Sequence, residues 1–574
     1  MTCRVYNLAS RDGLLTGVLL LTGIECSRRN LTRGKCTMKI PFLIVPVTFV
    51  LGSALIAAQP DASISQKCET LAKLSVPNVT IITAKAEAAG EFAGPRHPFT
   101  GADISAFYKQ LPAFCRVVAK AHPASDSDIN IEVWMPLKNW NGKLQGLANG
   151  GFAGAINYLE LGASLQHGYV ATGTDTGHAS SPIDAAWALG HPAKIIDFGY
   201  RGIHEMTRVA KAVIPPFYGS APKRSYFAGC SDGGREALME AQRYPEDYDG
   251  ILAGAPANYW TGLLSLAVVD TQAVTATPAS FIPPAKITIL GKAVVAACDK
   301  LDGVADGVLN DPRQCHFDPA TIQCKNDADT NECFTAPQLA ALKTVYAGMR
   351  NASGQTIFPG YLPGAEEGQG GWALWITGPA PARSLMAYFG LGYYANMVYD
   401  QKDWDYKIFA VDSGMKAATQ KTAEALNATN PDLSAFRSRG GKLILYHGWN
   451  DPAIPALNTV NYYQSVIAKM GRSSADSFTR LYMVPGMQHC GGGPGPENFG
   501  EALDATSTDP QHNIRVTLEN WVEKGTAPSL FVVSKAASAT SPEITRPLCP
   551  YPQSARYKGT GDPNKAENFS CLTK

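Results

Sequence analysis

The sequence predicts an α/β fold, a mostly parallel sheet covered by helices on both faces and interrupted by a large inserted cap. Three observations predict it. Short apolar, β-branched runs recur along the chain. Helical patterns lie between several of them, as at 199–213 and 234–243. Between about 258 and 437 the strand runs become rare, and Pro, Gly, aromatic residues and acidic turns take over. Strands alternating with helices imply parallel pairing with crossover helices on both faces. With 574 residues, the chain is long enough for two domains or for one domain with a large insertion.

The strand runs fall in order. "INIEVWMPL" (129–137), "GKLQGLAN" (142–149) and "GYVATGTDTG" (168–177) come first, then "RSYFAGCS" (224–231) and "DGILAGAPA" (249–257). After the gap come "KLILYHGWND" (442–451) and "TRLYMVPGMQH" (479–489). The expected organisation is a core in two parts, 59–257 and 438–574, with a cap at 258–437. Within the cap, 371–406 holds Trp372, Trp375, Tyr388, Phe389, Tyr393, Tyr394, Tyr399, Trp404 and Tyr406. Most are expected to pack the cap's own core, and a few to line a pocket for a flat, apolar ligand.

Charge excludes some partners. Fifty basic and 49 acidic residues give a formal net charge of +1, without the basic surface that nucleic acid or an anionic membrane requires. The N-terminal region has a different character. Met38-Lys39 precedes "IPFLIVPVTFVLGSALIAA", which fits a secretory signal peptide over 38–58. The run is nearly long enough for an anchor helix, but export with cleavage, to the periplasm or outside the cell, is the preferred reading. Residues 1–37 read as an upstream extension of a chain whose translation starts at Met38; one long signal with an extended basic region is the other reading. Removing Cys3, Cys26 and Cys36 leaves ten of 13 cysteines, and export makes five disulfides plausible. No CxxC pair occurs, which argues against zinc.

Gly229-Cys230-Ser231-Asp232-Gly233 is a Gly-x-Ser-x-Gly motif between an apolar strand and a helix. Small residues flank the serine because a tight strand-to-helix turn leaves no room for side chains. Ser231 is the expected nucleophile; the alternative is an idle serine in a glycine turn. A serine hydroxyl needs a base, and in this arrangement an acid and then a histidine follow in chain order. Asp451, after an apolar strand, and His489, in a glycine-rich loop, suit those roles; the alternatives are a turn acid beside Pro452 and a surface histidine. His447 competes as base, but it lies four residues before the candidate acid. Oxyanion donors are expected from the N–H of Asp232 and from "LANGGFAG", with Ala148, Asn149, Gly150 and Gly151 as candidates. If Ser231 and His489 touch, Cys230 and Cys490 are close as well. A disulfide between them would join the two loops across about 260 residues. Separately, "CDKLDGVADGVLNDPRQC" (298–315) sets Asp299, Asp302 and Asp306 among glycines, which suits calcium or a solvated acidic turn equally.

The Cys-Ser, Asp and His-Cys arrangement resembles that of the tannase and feruloyl esterase family of α/β-hydrolases, which also contains mono(2-hydroxyethyl) terephthalate hydrolase. "SYFAGCSDGGREALMEAQRYPEDYDGILAGAPA", "GGKLILYHGWNDPAIP", "RLYMVPGMQHCGGGPGP" and "TRPLCPYPQSARYKGTGD" carry the resemblance, which covers nearly all of 62–574. It implies an α/β-hydrolase fold with a lid and a Cys230–Cys490 disulfide under the Ser231, Asp451, His489 triad. It implies a structural calcium in the lid, held by the side chains of Asp299, Asp302 and Asp306 and the carbonyls of Val304 and Val308. Together with nearness in sequence, it also implies Cys68–Cys115, Cys298–Cys315, Cys324–Cys333 and Cys549–Cys571.

The expected activity is that of a secreted or periplasmic serine esterase acting on small aromatic esters of feruloyl, caffeoyl or galloyl type. A terephthalate monoesterase would need a basic cap residue for the free carboxylate, and Arg383 lies in that broad region. A non-catalytic binding protein on the same scaffold would usually lack the serine or the histidine. A serine peptidase would be separated by activity on peptides rather than aryl esters. Oligomeric state is not legible.

Overall fold

The computed structural model describes residues 62–97, 100–502, 505, 507–538 and 542–573. The upstream extension and signal peptide expected at 1–58 lie outside the described residues. Nine strands form the main sheet: β1 (Val79–Glu87), β2 (Phe114–Ala121), β3 (Ile129–Pro136), β4 (Lys143–Leu147), β5 (Val170–Thr174), β6 (Arg224–Cys230), β7 (Gly250–Gly254), β8 (Lys442–Gly448) and β9 (Thr479–Val484). Their order is β1-β2-β3-β5-β4-β6-β7-β8-β9. The first four in that order pair antiparallel, and β5 onward pair parallel.

The parallel half follows from alternation with period two. Phe227, Ile251, Ala253, Leu443, Leu445, Leu481 and Met483 face one apolar cluster. Tyr226, Ala228, Leu252, Ile444, Tyr446, Tyr482 and Val484 face another. Helices α1 (Gly202–Tyr218) and α2 (Asp232–Arg243) cover the first face through Met206, Val213, Leu238 and Ala241. The sequence reading ended the first helix at 213, before Pro215-Pro216. The helix continues because Phe217 is buried beyond that pair, and it stops at Gly219 in the left-handed conformation (φ 84°).

β1 and β2 were not anticipated. β1 is an edge strand in which only Ala84 is buried, and its Ile82 is exposed. Cys68–Cys115 ties the helix Ala62–Thr70 to β2.

Between β7 and β8 lie the cap helices, including α3 (Trp260–Thr275), α4 (Leu385–Tyr393) and α5 (Val411–Leu426). α3 is buried almost all round, as expected of a helix at the centre of its own core. Cap and sheet part share one apolar cluster, in which Trp260, Leu264, Met386 and Tyr394 meet Phe152, Phe198, Ala453 and Ile454. α6 (Ala456–Met470) follows β8 and packs Val460, Tyr463 and Val466 on the first apolar face, while on the sheet's other side α7 (Ile514–Lys524) packs Leu518 and Trp521 on the second.

All ten cysteines from Cys68 onward pair, in the combinations that the resemblance implies. Cys298–Cys315 closes the acidic loop after the helix Pro284–Cys298. Replacing this pair by serines is expected to lower stability by about 3 kcal/mol. In urea unfolding that appears as a lower midpoint, and an unchanged midpoint would show that the bond does not hold the cap.

Candidate active site

Ser231 sits between β6 and α2 with φ 68° and ψ −124°, a backbone conformation that a non-glycine residue holds only when its surroundings fix it. Its N–H donates to the Gly254 carbonyl (3.0 Å), and its own carbonyl accepts from Gly234, Arg235 and Ala257. The glycine after the motif's aspartate has a packing reason. A Cβ on Gly233 would lie 2.6 Å from Ala148 Cβ and 2.7 Å from the Asn149 carbonyl oxygen. The serine turn and the loop after β4 therefore fit against each other only without a side chain there.

The loops after β8 and β9 bring the other two residues in. His489 Nδ1 lies 2.9 Å from Asp451 Oδ2, and His489 Nε2 lies 2.9 Å from Ser231 Oγ. With Nδ1–H donating to Asp451, Nε2 is left to accept from the serine hydroxyl. Asp451 is fully buried in side chain. Its Oδ1 accepts the N–H groups of Ala453 (2.8 Å) and Ile454 (2.9 Å). Burial alone would push its carboxyl up. His489 and His447 outweigh that by charge and hydrogen bonding, and hold it well below the usual carboxylate range.

His447 is not at the serine. Its Nε2 lies 3.1 Å from Asp451 Oδ2 and 3.0 Å from the Ile454 carbonyl, and its Nδ1 lies 2.7 Å from Thr459 Oγ1. It backs the acid from the far side, so it is a support for Asp451 rather than a competing base.

Cys230 and Cys490 are bonded, with Cα atoms 6.0 Å apart and 260 residues between them. Cys490 also has positive φ (59°). The bond fixes the serine turn to the histidine loop directly beneath the Ser231–His489 contact.

The N–H groups of Asp232, beside Ser231 in the chain, and of Gly150 and Gly151, on the same cleft, have no acceptor among the described residues. The Asn149 N–H is different. It donates to Glu236 Oε2 at 2.8 Å, which removes it from the candidate oxyanion donors. Ala148 serves as the packing contact with Gly233. Gly151 has φ 61°, and a side chain there would strike the Pro182 carbonyl. Asp232 is buried with its carboxylate on Arg235 Nε (2.6 Å); burial raises its pKa, and Arg235 opposes the rise.

An open cleft of about 730 Å³ reaches Ser231 and His489. Pro182, Ile183, Trp375, Leu385 and Phe389 give it an apolar wall, and Glu160, Glu501 and Arg515 also line it. Burial pushes Glu160 up to about 7. A narrow apolar crevice lined by Trp260, Leu264, Trp375, Met386, Phe389 and Ile454 opens on the same serine. A separate cavity of about 240 Å³ touches Ala228 and Leu252 but not Ser231.

The cap aromatics thus divide. Trp372, Tyr393 and Tyr394 are buried in the cap. Trp375 stands edge-on to His489 at 4.8 Å and stacks on Phe389 at 6.4 Å. Arg383 does not line the cleft; it is exposed and donates to the Tyr388 hydroxyl.

The acidic loop curls around its own carboxylates. Asp299 Oδ1 accepts from Gly307 N–H (2.8 Å), Asp302 Oδ1 from Val304 (3.0 Å) and Asp306 Oδ1 from Val308 (3.0 Å). The other Asp306 oxygen pairs with Arg546, a buried residue that the sequence reading did not single out. Burial pushes Asp302 up to about 6, and the charges of Asp306 and Asp299 push the same way. The donors are hard oxygens crowded by mutual repulsion, which suits a divalent cation. Among the described residues no three His, Cys, Asp or Glu side chains converge as a ligating cluster, so carbonyl oxygens must supply part of any such site.

Serine replacement of both Cys230 and Cys490 is expected to lower kcat by about 10- to 100-fold, because misplacing a reacting group by about 1 Å costs that order. Steady-state kinetics on the purified variant check it, and full activity would remove the clamp as an explanation.

The family described as "Tannase and feruloyl esterase" matches residues 115–572. An uncharacterised esterase of Xanthomonas campestris pv. campestris is 40% identical over 91% of this chain and 93% of its own. The mono(2-hydroxyethyl) terephthalate hydrolase of Piscinibacter sakaiensis is 34% identical over 80% of this chain and 85% of its own. The crystal structure of feruloyl esterase B from Aspergillus oryzae superposes with a TM-score of 0.80 and 27% identity, covering 89% of this chain and all of that one. The fold is that of the α/β-hydrolases, and the chain belongs to the tannase and feruloyl esterase family.

Proposed function

We propose that the protein is a carboxylic ester hydrolase that works through an acyl-enzyme on Ser231. The observation that carries this reading is the hydrogen-bonded chain Ser231–His489–Asp451, with 2.9 Å at each link. Ser231 Oγ attacks the ester carbonyl carbon while its proton passes to His489 Nε2. Asp451 keeps His489 in the required tautomer and stabilises the imidazolium. The developing alkoxide takes hydrogen bonds from Asp232 N–H and from Gly150 or Gly151 N–H. When the tetrahedral adduct collapses, the alcohol leaves with the proton from His489. Water, deprotonated by His489, then attacks the acyl carbon and releases the acid.

For the acyl group we propose an aromatic acid of hydroxycinnamic or gallic type. The apolar wall that Pro182, Ile183, Trp375, Leu385 and Phe389 give the cleft beside Ser231 supports this, as does the kinship with a structure named feruloyl esterase B. Mono(2-hydroxyethyl) terephthalate is the second substrate to test, on the strength of the 34% identical relative of that name. The position of Arg383 outside the cleft gives it no further support.

We place the mature chain in the periplasm or outside the cell, as five disulfides suit an oxidising compartment. Among the described residues no helix is long and apolar enough to cross a membrane. We also propose a structural calcium at the acidic loop of the cap, with the carboxylates of Asp299, Asp302 and Asp306 and the carbonyls of Val304 and Val308 as its ligands. The three carboxylates do not converge as they stand, and Asp306 would have to turn from Arg546 to join them. The calcium orders the cap and takes no part in the chemistry.

Methyl ferulate, methyl gallate, chlorogenate and the terephthalate monoester, assayed with product acids quantified, test the activity. At least one aromatic ester is expected to turn over, and Ser231→Ala to lower that rate by at least about 10³-fold. Retained activity in Ser231→Ala would overturn the mechanism. Chelation with EGTA is expected to lower Tm by several degrees, restored by calcium and absent in Asp302→Asn. An unchanged Tm in the wild type would remove the calcium.

A further inference from the structure

Helix α2 carries three carboxyl groups on its buried side. Asp232, Glu236 and Glu240 recur at every fourth position, each about 1% exposed. Their surroundings differ. Asp232 has Arg235, whose remaining guanidinium nitrogens donate to the carbonyls of Gly199 (2.6 Å) and Phe198 (3.0 Å). Arg235 is thereby committed, and Glu236 has no cation bonded to it. What Glu236 does have is the backbone N–H of Asn149, on Oε2 at 2.8 Å; its Oε1 has no hydrogen-bond partner.

Asn149 is held from its side chain as well. Its Nδ2 donates to the carbonyls of Ala155 (3.0 Å) and Thr174 (2.9 Å). The residue is thus pinned by its backbone to the serine's helix, and by its side chain to its own loop and to the end of β5. The next two residues are Gly150 and Gly151, whose N–H groups are free near Ser231. A glycine pair has little stiffness of its own. Its position relative to Ser231 is set by what fixes Asn149 before it.

We propose that Glu236 is a positioning residue for the oxyanion site: by accepting the Asn149 N–H it holds Gly150 and Gly151 in register with Ser231. The inference rests on the ester-hydrolase reading of Ser231 above. Burial raises the Glu236 pKa well above the ordinary carboxylate range, and the Asp232 and Glu160 charges push the same way, against Arg235. What the geometry requires of the side chain is an acceptor for the Asn149 N–H. A glutamine can supply the same acceptor, and an apolar side chain of similar size cannot.

The test uses the full mature chain, p-nitrophenyl acetate for kcat and KM, and phenylboronic acid as an inhibitor whose tetrahedral adduct on Ser231 occupies the oxyanion site. Glu236→Met is expected to lower kcat by about 10- to 100-fold and to weaken boronate inhibition by a similar factor, with KM within about twofold. Glu236→Gln is expected to stay within about threefold of wild type on all three. A filler role would change Tm without this split between kcat and KM. Wild-type kcat in folded Glu236→Met overturns the proposal, and so does a Glu236→Gln as slow as Glu236→Met. Should Glu236→Met not fold, Glu236→Ala decides, since it removes the acceptor of the Asn149 N–H without adding bulk: a lower kcat at constant KM with weaker boronate inhibition supports the proposal, and a wild-type kcat overturns it. Full turnover by Ser231→Ala would instead overturn the esterase reading, and the proposal with it.

Discussion

Ser231 and His489 come from loops after β6 and β9, strands that are not neighbours, since β7 and β8 lie between them. A hydrogen bond between two such loops is worth about 1 kcal/mol net, too little to fix their separation. The Cys230–Cys490 bond does what that hydrogen bond cannot. It joins the residue before Ser231 to the residue after His489, and it spans 260 residues of chain. Ser231 and Cys490 both have φ near 60°, a strained state for residues with a side chain. Each is tolerable because the turn around it is over-determined by the disulfide, by the Gly254 carbonyl and by the contact of Gly233 with Ala148. The cap then closes on this fixed base through Trp375 against His489.

Around that base, two similarly buried carboxyl groups are shifted in opposite directions. Asp451 and Glu236 are both shielded from water. Asp451 faces two histidines and accepts two backbone N–H groups, so it stays charged and can stabilise an imidazolium. For Glu236 burial and the Asp232 and Glu160 charges push the pKa well up, against Arg235 and the one N–H it accepts. Partners rather than depth decide which carboxyl is an electrostatic group and which is a scaffold.

The site was legible in the sequence where chemistry and backbone demand coincide. Ser231, Asp451 and His489 stand at the ends of apolar strands, beside glycine or proline, and each can be found from its own neighbours. The paired cysteines were legible for the same reason, because each adjoins one of those residues. What the sequence did not reveal depends on packing between distant segments. Trp372 and Trp375 are three residues apart in one aromatic run, yet one is core and the other meets His489. Glu236 reads as an ordinary polar position in a helix until the loop after β4 is laid against it. Arg546 reaches Asp306 across 240 residues. The composition shift at 258–437 marks the cap, but not that it shares an apolar core with the sheet part, which only the packing of Trp260 and Met386 against Phe152 and Ile454 shows. His447, four residues from Asp451, was visible as a candidate, but only the fold shows that it stands behind the acid.

The central claim is that one serine becomes nucleophilic because one histidine accepts its proton. The most direct measurement is intact-mass and peptide-mass analysis after exposure to an aryl fluorophosphonate. The account predicts a single adduct, located on Ser231, formed rapidly by the wild type and slowed by about 10³-fold or more in His489→Ala. Adduct on another residue, or equally fast labelling of His489→Ala, would contradict it.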